Sequence, residues 1–166
     1  QRQMCIRDRD NKDKKEVLDL CISVFGDHFE KWGQTTFNNA QTDNNDKPYI
    51  LVAKKNNEIV GSATATCLMP LGNFNTFGIS FVFIKPERQG NGYGKALMNK
   101  TEQFIREKLL GMDQGQVFLS SSTNPIFYTK LGYDPIFPRK DNIPICLLFT
   151  SDAAYDMQCV DLGCRR

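Results

Sequence analysis

The sequence predicts an α/β protein of the α+β kind, and three stretches carry that prediction. Residues 79–110 read as a buried strand, a glycine-rich turn and a long amphipathic helix. Residues 48–66 read as a two-stranded hairpin turning at Asn56-Asn57. Residues 117–137 read as strand, short helix and strand.

Taken in order, Asp13 to Trp32 is the first predicted helix. Asp13 is placed as N-cap and Glu16 completes a capping-box pattern. Val17, Leu18, Cys21, Ile22, Phe25, Phe29 and Trp32 supply its apolar face, and Gly26 is a point at which it bends or ends. His28 is the single histidine. A histidine with no nucleophile or metal partner near it is read as structural or solvent-facing. Gly33 to Lys47 is polar and read as a loop, with or without a short helix.

The hairpin strands are Pro48–Lys55 and Glu58–Thr66, since Asn tolerates the positive φ a tight turn demands. Leu68 to Phe77 contains Pro70, Gly72 and several Asn, and is read as a connection. The strand Gly78–Lys85 follows, with Ile79, Phe81, Val82, Phe83 and Ile84 as its apolar run and Pro86 as its stop. From Lys95 the period changes. Leu97, Thr101, Phe104, Ile105, Lys108 and Leu109 recur three or four apart, the mark of a helix with one face on a sheet. Gly111–Gln116 is read as a loop and Val117–Ser120 as a strand. Asn124-Pro125 starts a helix, Gly132 stops it, and Tyr133 opens a strand through Phe137.

Between strand and helix lies Gln89-Gly90-Asn91-Gly92-Tyr93-Gly94. Such a turn aims main-chain N–H groups, backed by the positive end of a helix, at one point, and so makes a phosphate site. It is not a Walker loop, because Gly90 to Gly94-Lys95 is one residue too short and Ala96 stands where Ser or Thr would hold magnesium. It is not the dinucleotide fingerprint either, since the last glycine is misplaced. The pattern Gln-x-x-Gly-x-Gly after a strand ending in Pro-Glu closely resembles the coenzyme A pyrophosphate loop of the GNAT N-acetyltransferases. Downstream, Phe127-Tyr128-Thr129-Lys130-Leu131-Gly132-Tyr133 is similar to that family's second signature, Phe-Tyr-x-x-x-Gly-Phe. The two occur in the family's order, with helix then strand between them, and the resemblance spans about Asp13 to Phe137.

The resemblance implies a mixed, mostly antiparallel sheet splayed between its fourth and fifth strands and flanked by helices. It implies acetyl-CoA as acetyl donor and an amine as acceptor. By it, the main chain of Val82, Phe83 and Ile84 pairs with the pantetheine arm. Gln89, Gly90, Asn91, Gly92, Tyr93, Gly94 and Lys95 hold the diphosphate, and Asn124 is a further candidate for the pantetheine. Tyr128 is the candidate catalytic residue, a phenol with a pKa near ~10 that can protonate the departing thiolate. Phe127 and Leu131 are read as core. Some family members place a glutamate at the start of the fourth strand, where this chain has Gly78, Ile79 and Ser80. Glu58 and Glu87 are read as solvated, so a water chain is the expected base. That suits an α-amine of pKa ~8, about a tenth neutral at pH 7, far better than a lysine near ~10.4. The favoured acceptor is therefore a protein or peptide N-terminus. A small-molecule amine, or a non-catalytic acyl-CoA-binding module, stays open beside it.

The totals fit a single soluble domain. Lysine and arginine number 21 against 19 acids over 166 residues, a balance of +2 that draws the chain to neither nucleic acid nor membrane. No membrane-length apolar run or signal peptide is visible. The six cysteines show neither disulfide-framework nor zinc spacing, so no metal is expected and a reduced, cytoplasmic setting is. Both ends, QRQMCIRDR and CLLFTSDAAYD, resemble translated sequencing adaptors. The expectation is one acetyltransferase domain over 10–145, with 1–9 and 146–166 as non-native tails. At the front end CIRD followed by a helix also resembles a native opening strand.

Overall fold

The computed structural model of the chain describes residues 5–8, 11–27, 29–35, 48–71, 74–108, 114–121, 124–138 and 144–150. His28, most of the polar segment before Lys47, Leu109, the start of the loop at 111 and the segment beyond 150 lie outside the described residues. The rest forms two compact units, one within 1–66 and 80–101, the other within 67–79 and 102–166.

The first four strands run in the order β1 (Cys5–Asp8), β2 (Tyr49–Lys55), β3 (Glu58–Leu71) and β4 (Phe74–Ile84), the first unit holding β1, β2, β3 to Thr66 and β4 from Ser80. β1 runs antiparallel to β2, from Cys5↔Lys54 to Asp8↔Leu51. β2 and β3 form the expected hairpin, antiparallel from Tyr49↔Ala65 to Lys55↔Glu58. Asn56 and Asn57 take φ of 51° and 67°, the left-handed pair that matches strand twist. Where β4 ends, the Lys85 N–H donates to the Val60 carbonyl at 2.9 Å. Helix α1 (Lys14–Phe25) packs Val17 and Cys21, together with Phe29, on Ile50, Val52, Ile59 and Phe83. A second cluster joins Ala53, Val60, Ala63 and Ile84 to Leu97 of helix α2 (Tyr93–Lys108). Each large side chain so buried is worth about 1.5–3 kcal/mol over leaving it in water.

The first helix departs from its expected form. It stops at Phe25, because Gly26 turns left-handed at φ 55° and closes the last turn with its N–H on Ile22. A separate turn of wider, π-type helix follows at Phe29–Gly33. Asp13 does not cap the helix through its side chain; its carboxylate takes the Lys54 ammonium at 2.5 Å instead. Both groups are buried, and a buried cation needs its counter-charge more than a helix end needs one acceptor.

In the second unit β4 lies parallel to β5 (Gln114–Ser120), from Phe74↔Gln114 to Ile79↔Leu119. β5 pairs antiparallel with β7 (Pro144–Thr150), and β7 with β6 (Asp134–Pro138). Among the described ladders β4–β5 is parallel and the others are antiparallel, so the sheet is mixed. Residues 68–71 and 74–77, expected as a connection, are strand. For 74–77 the parallel ladder to β5 supplies the backbone partners, and long-range pairing overrides the local loop signal. For the same reason β5 begins at Gln114, inside the expected loop. Among the described pairs, the β4–β5 ladder is not continued past Ile79, and β4 runs on to Ile84 without a β5 partner. Phe81, beyond the last β4–β5 pair, has φ 49°, outside ordinary strand geometry for a bulky residue.

Helix α3 (Pro125–Thr129) has the cap the sequence demands. Asn124 Oδ1 accepts from the Phe127 N–H at 3.3 Å, with Pro125 at the first position. Gly132, at φ 94°, ends the segment, and the Tyr133 N–H returns to the Tyr128 carbonyl at 3.1 Å.

Candidate active site

The first part of the site is one continuous strand, turn and helix. Val82 is half-buried, while Phe83 and Ile84 are in the core. Pro86–Arg88 makes a single tight helical turn after the strand. The Gln89 side chain then reaches back, its Nε2 donating to the Ile84 carbonyl at 3.0 Å. Asn91 does likewise, Nδ2 donating to the carbonyls of Gln89 at 2.9 Å and Arg88 at 3.2 Å. Both amides tie down loop carbonyls, so neither side chain is spent on the loop's N–H groups.

Gly90 and Gly92 take φ of 76° and 78°, which an L side chain rarely adopts. A β-carbon at either would meet nothing within 4 Å, so the demand is conformational and the space is open. Among the described residues, the backbone N–H groups from Gly90 to Lys95 find no main-chain acceptor. The first that does is Ala96, which donates to the Gly92 carbonyl at 3.0 Å. These donors lie at the positive end of a helix of 16 residues, an arrangement suited to a phosphate.

Two features beside the turn escaped sequence reading. Lys55, at the end of β2, donates to the Tyr93 hydroxyl and lies over the same ring, 5.1 Å from its centroid. Glu58 accepts from Lys85 at 3.1 Å and from Arg88 at 2.8 Å. These bonds hold its carboxyl below the ordinary glutamate range, Lys85 contributing most. Glu58 is thus committed to two cations. Strand alternation could have separated Lys54 from Lys55, since neighbours on a strand face opposite ways. Lys54 goes in to Asp13; Lys55 goes to the turn.

Asn124 and Tyr128 share the short helix of the other unit. The Asn124 side-chain oxygen is committed to the cap, and its own N–H donates to Ser121 Oγ at 3.2 Å. The half-buried ring of Tyr128 stands edge-to-face with Phe127, centroids 5.0 Å apart, and with Tyr133 at 6.2 Å. The Tyr133 hydroxyl in turn donates to Glu102 Oε1 at 2.5 Å. Burial pushes the Glu102 carboxyl up, against the Tyr133 hydrogen bond and the charge of Arg106. Glu102 had no signal in the sequence, lying mid-helix among polar residues.

Burial drives the Cys21 thiol up to about 12, which denies it thiolate character at neutral pH. No group of three metal-ligating side chains comes together among the described residues. No described helix is long and apolar enough to cross a membrane.

Residues 46–135 match the family model described as an acetyltransferase (GNAT) domain. No curated protein sequence matches the chain. Solved structures share the fold at low identity. A GNAT-family acetyltransferase from Staphylococcus aureus Mu50 is 20% identical with a TM-score of 0.66, over 87% of this chain and 98% of its own. Escherichia coli ElaA is 17% identical at 0.63, over 87% and 99%. PaiA N-acetyltransferase from Thermoplasma acidophilum, solved with coenzyme A, is 16% identical at 0.60, over 87% and 98%.

Proposed function

This chain belongs to the GNAT acetyltransferases and is an acyltransferase, and on that premise we propose that its acceptor is a protein or peptide N-terminal α-amine and its donor acetyl-CoA. The observation that carries the proposal is the row of main-chain donors from Gly90 to Lys95 with no main-chain acceptor among the described residues. They suit the diphosphate of coenzyme A, and the two left-handed glycines let it approach the backbone. Gln89 and Asn91 keep the turn in that shape through the carbonyls they bind. The edge of Val82–Ile84, beyond the end of the β4–β5 ladder, offers main-chain groups to an extended pantetheine arm, as an added strand would find. By the family resemblance, Asn124 is a further candidate for the pantetheine arm.

The bound thioester supplies an activated acetyl carbon. Main-chain donors near the strand end polarise its carbonyl, and the neutral amine attacks. Tyr128 gives its phenolic proton to the departing sulfur, which leaves as the thiol. The proton on the amine passes to water, since Glu58 is already bonded to two cations. A site in which water takes the proton favours an amine already partly neutral. At pH 7 about a tenth of an α-amine is neutral, against well under a thousandth of a lysine.

The test is thiol release from acetyl-CoA with three acceptor sets: free-N-terminus peptides, N-blocked lysine peptides and small amines. We expect the first set to be fastest, and Tyr128→Phe to lower kcat about a hundredfold while coenzyme A still binds. A preference for blocked lysine peptides or small amines overturns the acceptor. Tight acetyl-CoA binding with no thiol released by any amine makes the chain an acyl-CoA-binding module instead.

A further inference from the structure

We propose that Tyr133 and Glu102 are a positioning pair that fixes the Tyr128 phenol for proton delivery; this rests on Tyr128 being the proton donor. Tyr133 is 1% exposed, and its hydroxyl donates to Glu102 Oε1 at 2.5 Å across 31 positions of sequence. The ring is thereby anchored at its far end to α2. At its near end the Tyr133 N–H holds the Tyr128 carbonyl at 3.1 Å, beside the Leu131 N–H at 2.9 Å. Between these anchors the Tyr133 ring stands at 79° to the Tyr128 ring, and Phe127 stands at 75° to it. Tyr128 is therefore bracketed by two rings, one of which cannot turn without breaking a hydrogen bond to another helix.

The hydroxyl of Tyr133 is not needed to fill space. The signature that residues 127–133 resemble carries phenylalanine at this place, and a phenylalanine ring would pack there without a polar atom. The buried Tyr133 hydroxyl costs free energy unless it is bonded, and the half-buried Glu102 carboxylate is the acceptor it finds. Such pairs add little net stability but restrict geometry. Arg106, one turn along α2, adds the counter-charge that keeps Glu102 usable as an acceptor. What the pair gives is orientation, and the group it orients is the Tyr128 ring.

The experiment measures thiol-release kinetics on the full chain for Tyr133→Phe, Tyr128→Phe and the double variant, with melting temperature and coenzyme A affinity alongside. Tyr133→Phe should lower kcat about threefold to tenfold, leave the KM for acetyl-CoA unchanged, and cost nothing further when Tyr128→Phe is already present. Glu102→Gln keeps an acceptor for the Tyr133 hydroxyl and should retain most of kcat, whereas Glu102→Leu should match Tyr133→Phe. Losses that multiply in the double variant overturn the proposal, as does an unchanged kcat in Tyr133→Phe. If Tyr133→Phe does not fold, equal kcat in Glu102→Gln and Glu102→Leu overturns it. An unchanged kcat in Tyr128→Phe is a separate result: it removes Tyr128 as donor, and the proposal falls with it.

Discussion

The ammonium of Lys55 is held by Tyr93, through a hydrogen bond to the hydroxyl and a seat over the ring 5.1 Å from its centroid. Tyr93 is the first residue of α2, so a cation from the hairpin end stands beside the open donors of the glycine turn. The carboxylate at that end of the hairpin, Glu58, is bonded to Lys85 and Arg88 instead. Lys55→Met should therefore raise the KM for acetyl-CoA about tenfold, or ~1.4 kcal/mol, with kcat kept. The penalty should shrink as salt is added, because part of it is charge. Initial-rate kinetics at low and high ionic strength check both parts.

Gly92→Ala isolates the turn's conformational demand. Its φ of 78° costs an L residue about 1–2 kcal/mol, and no atom lies within 4 Å to add a clash. The melting temperature should fall by only about 2–8 °C. Coenzyme A affinity should fall further than that strain accounts for, because the new methyl group stands where the diphosphate approaches. Calorimetric titration beside thermal melts separates the two effects.

Gly61→Ala tests packing instead. A β-carbon there would lie 2.4 Å from Ile84 Cδ1 and 2.5 Å from the Phe83 carbonyl oxygen. The isoleucine can turn aside but the carbonyl is backbone, so β3 and β4 must separate. We expect a loss of about 2–3 kcal/mol in urea unfolding, and weaker acetyl-CoA binding because Phe83 and Ile84 shift.

Glu102 gives stability a pH dependence of definite sign. Burial raises its carboxyl above the ordinary glutamate range, so the folded chain holds a proton that the unfolded chain has already lost. The resulting stabilisation is complete below the unfolded-state pKa and is lost as pH rises through the folded one. Relative to Glu102→Gln, the wild type should lose stability as pH climbs from about 4 through the range just above it. Urea midpoints for both proteins across that window are the measurement, and a gap that widens in the wild type's favour with rising pH would contradict it.

By itself the sequence determined the pieces whose cause is local. The strand ending before Pro86, the glycine turn and the α2 periodicity follow from steric rules that act over a few residues. So do the Asn56-Asn57 hairpin and the Asn124 cap. The tertiary structure decided what those rules cannot reach. Whether 74–77 is loop or strand depended on β5, far along the chain, arriving to pair with it. Asp13 gave up its cap for Lys54, Lys55 found Tyr93, and Tyr133 found Glu102, each across at least 31 positions. Propensities of a few tenths of a kcal/mol set local shape, while the larger cost of burying an unpaired charge or donor chooses partners from anywhere in the chain.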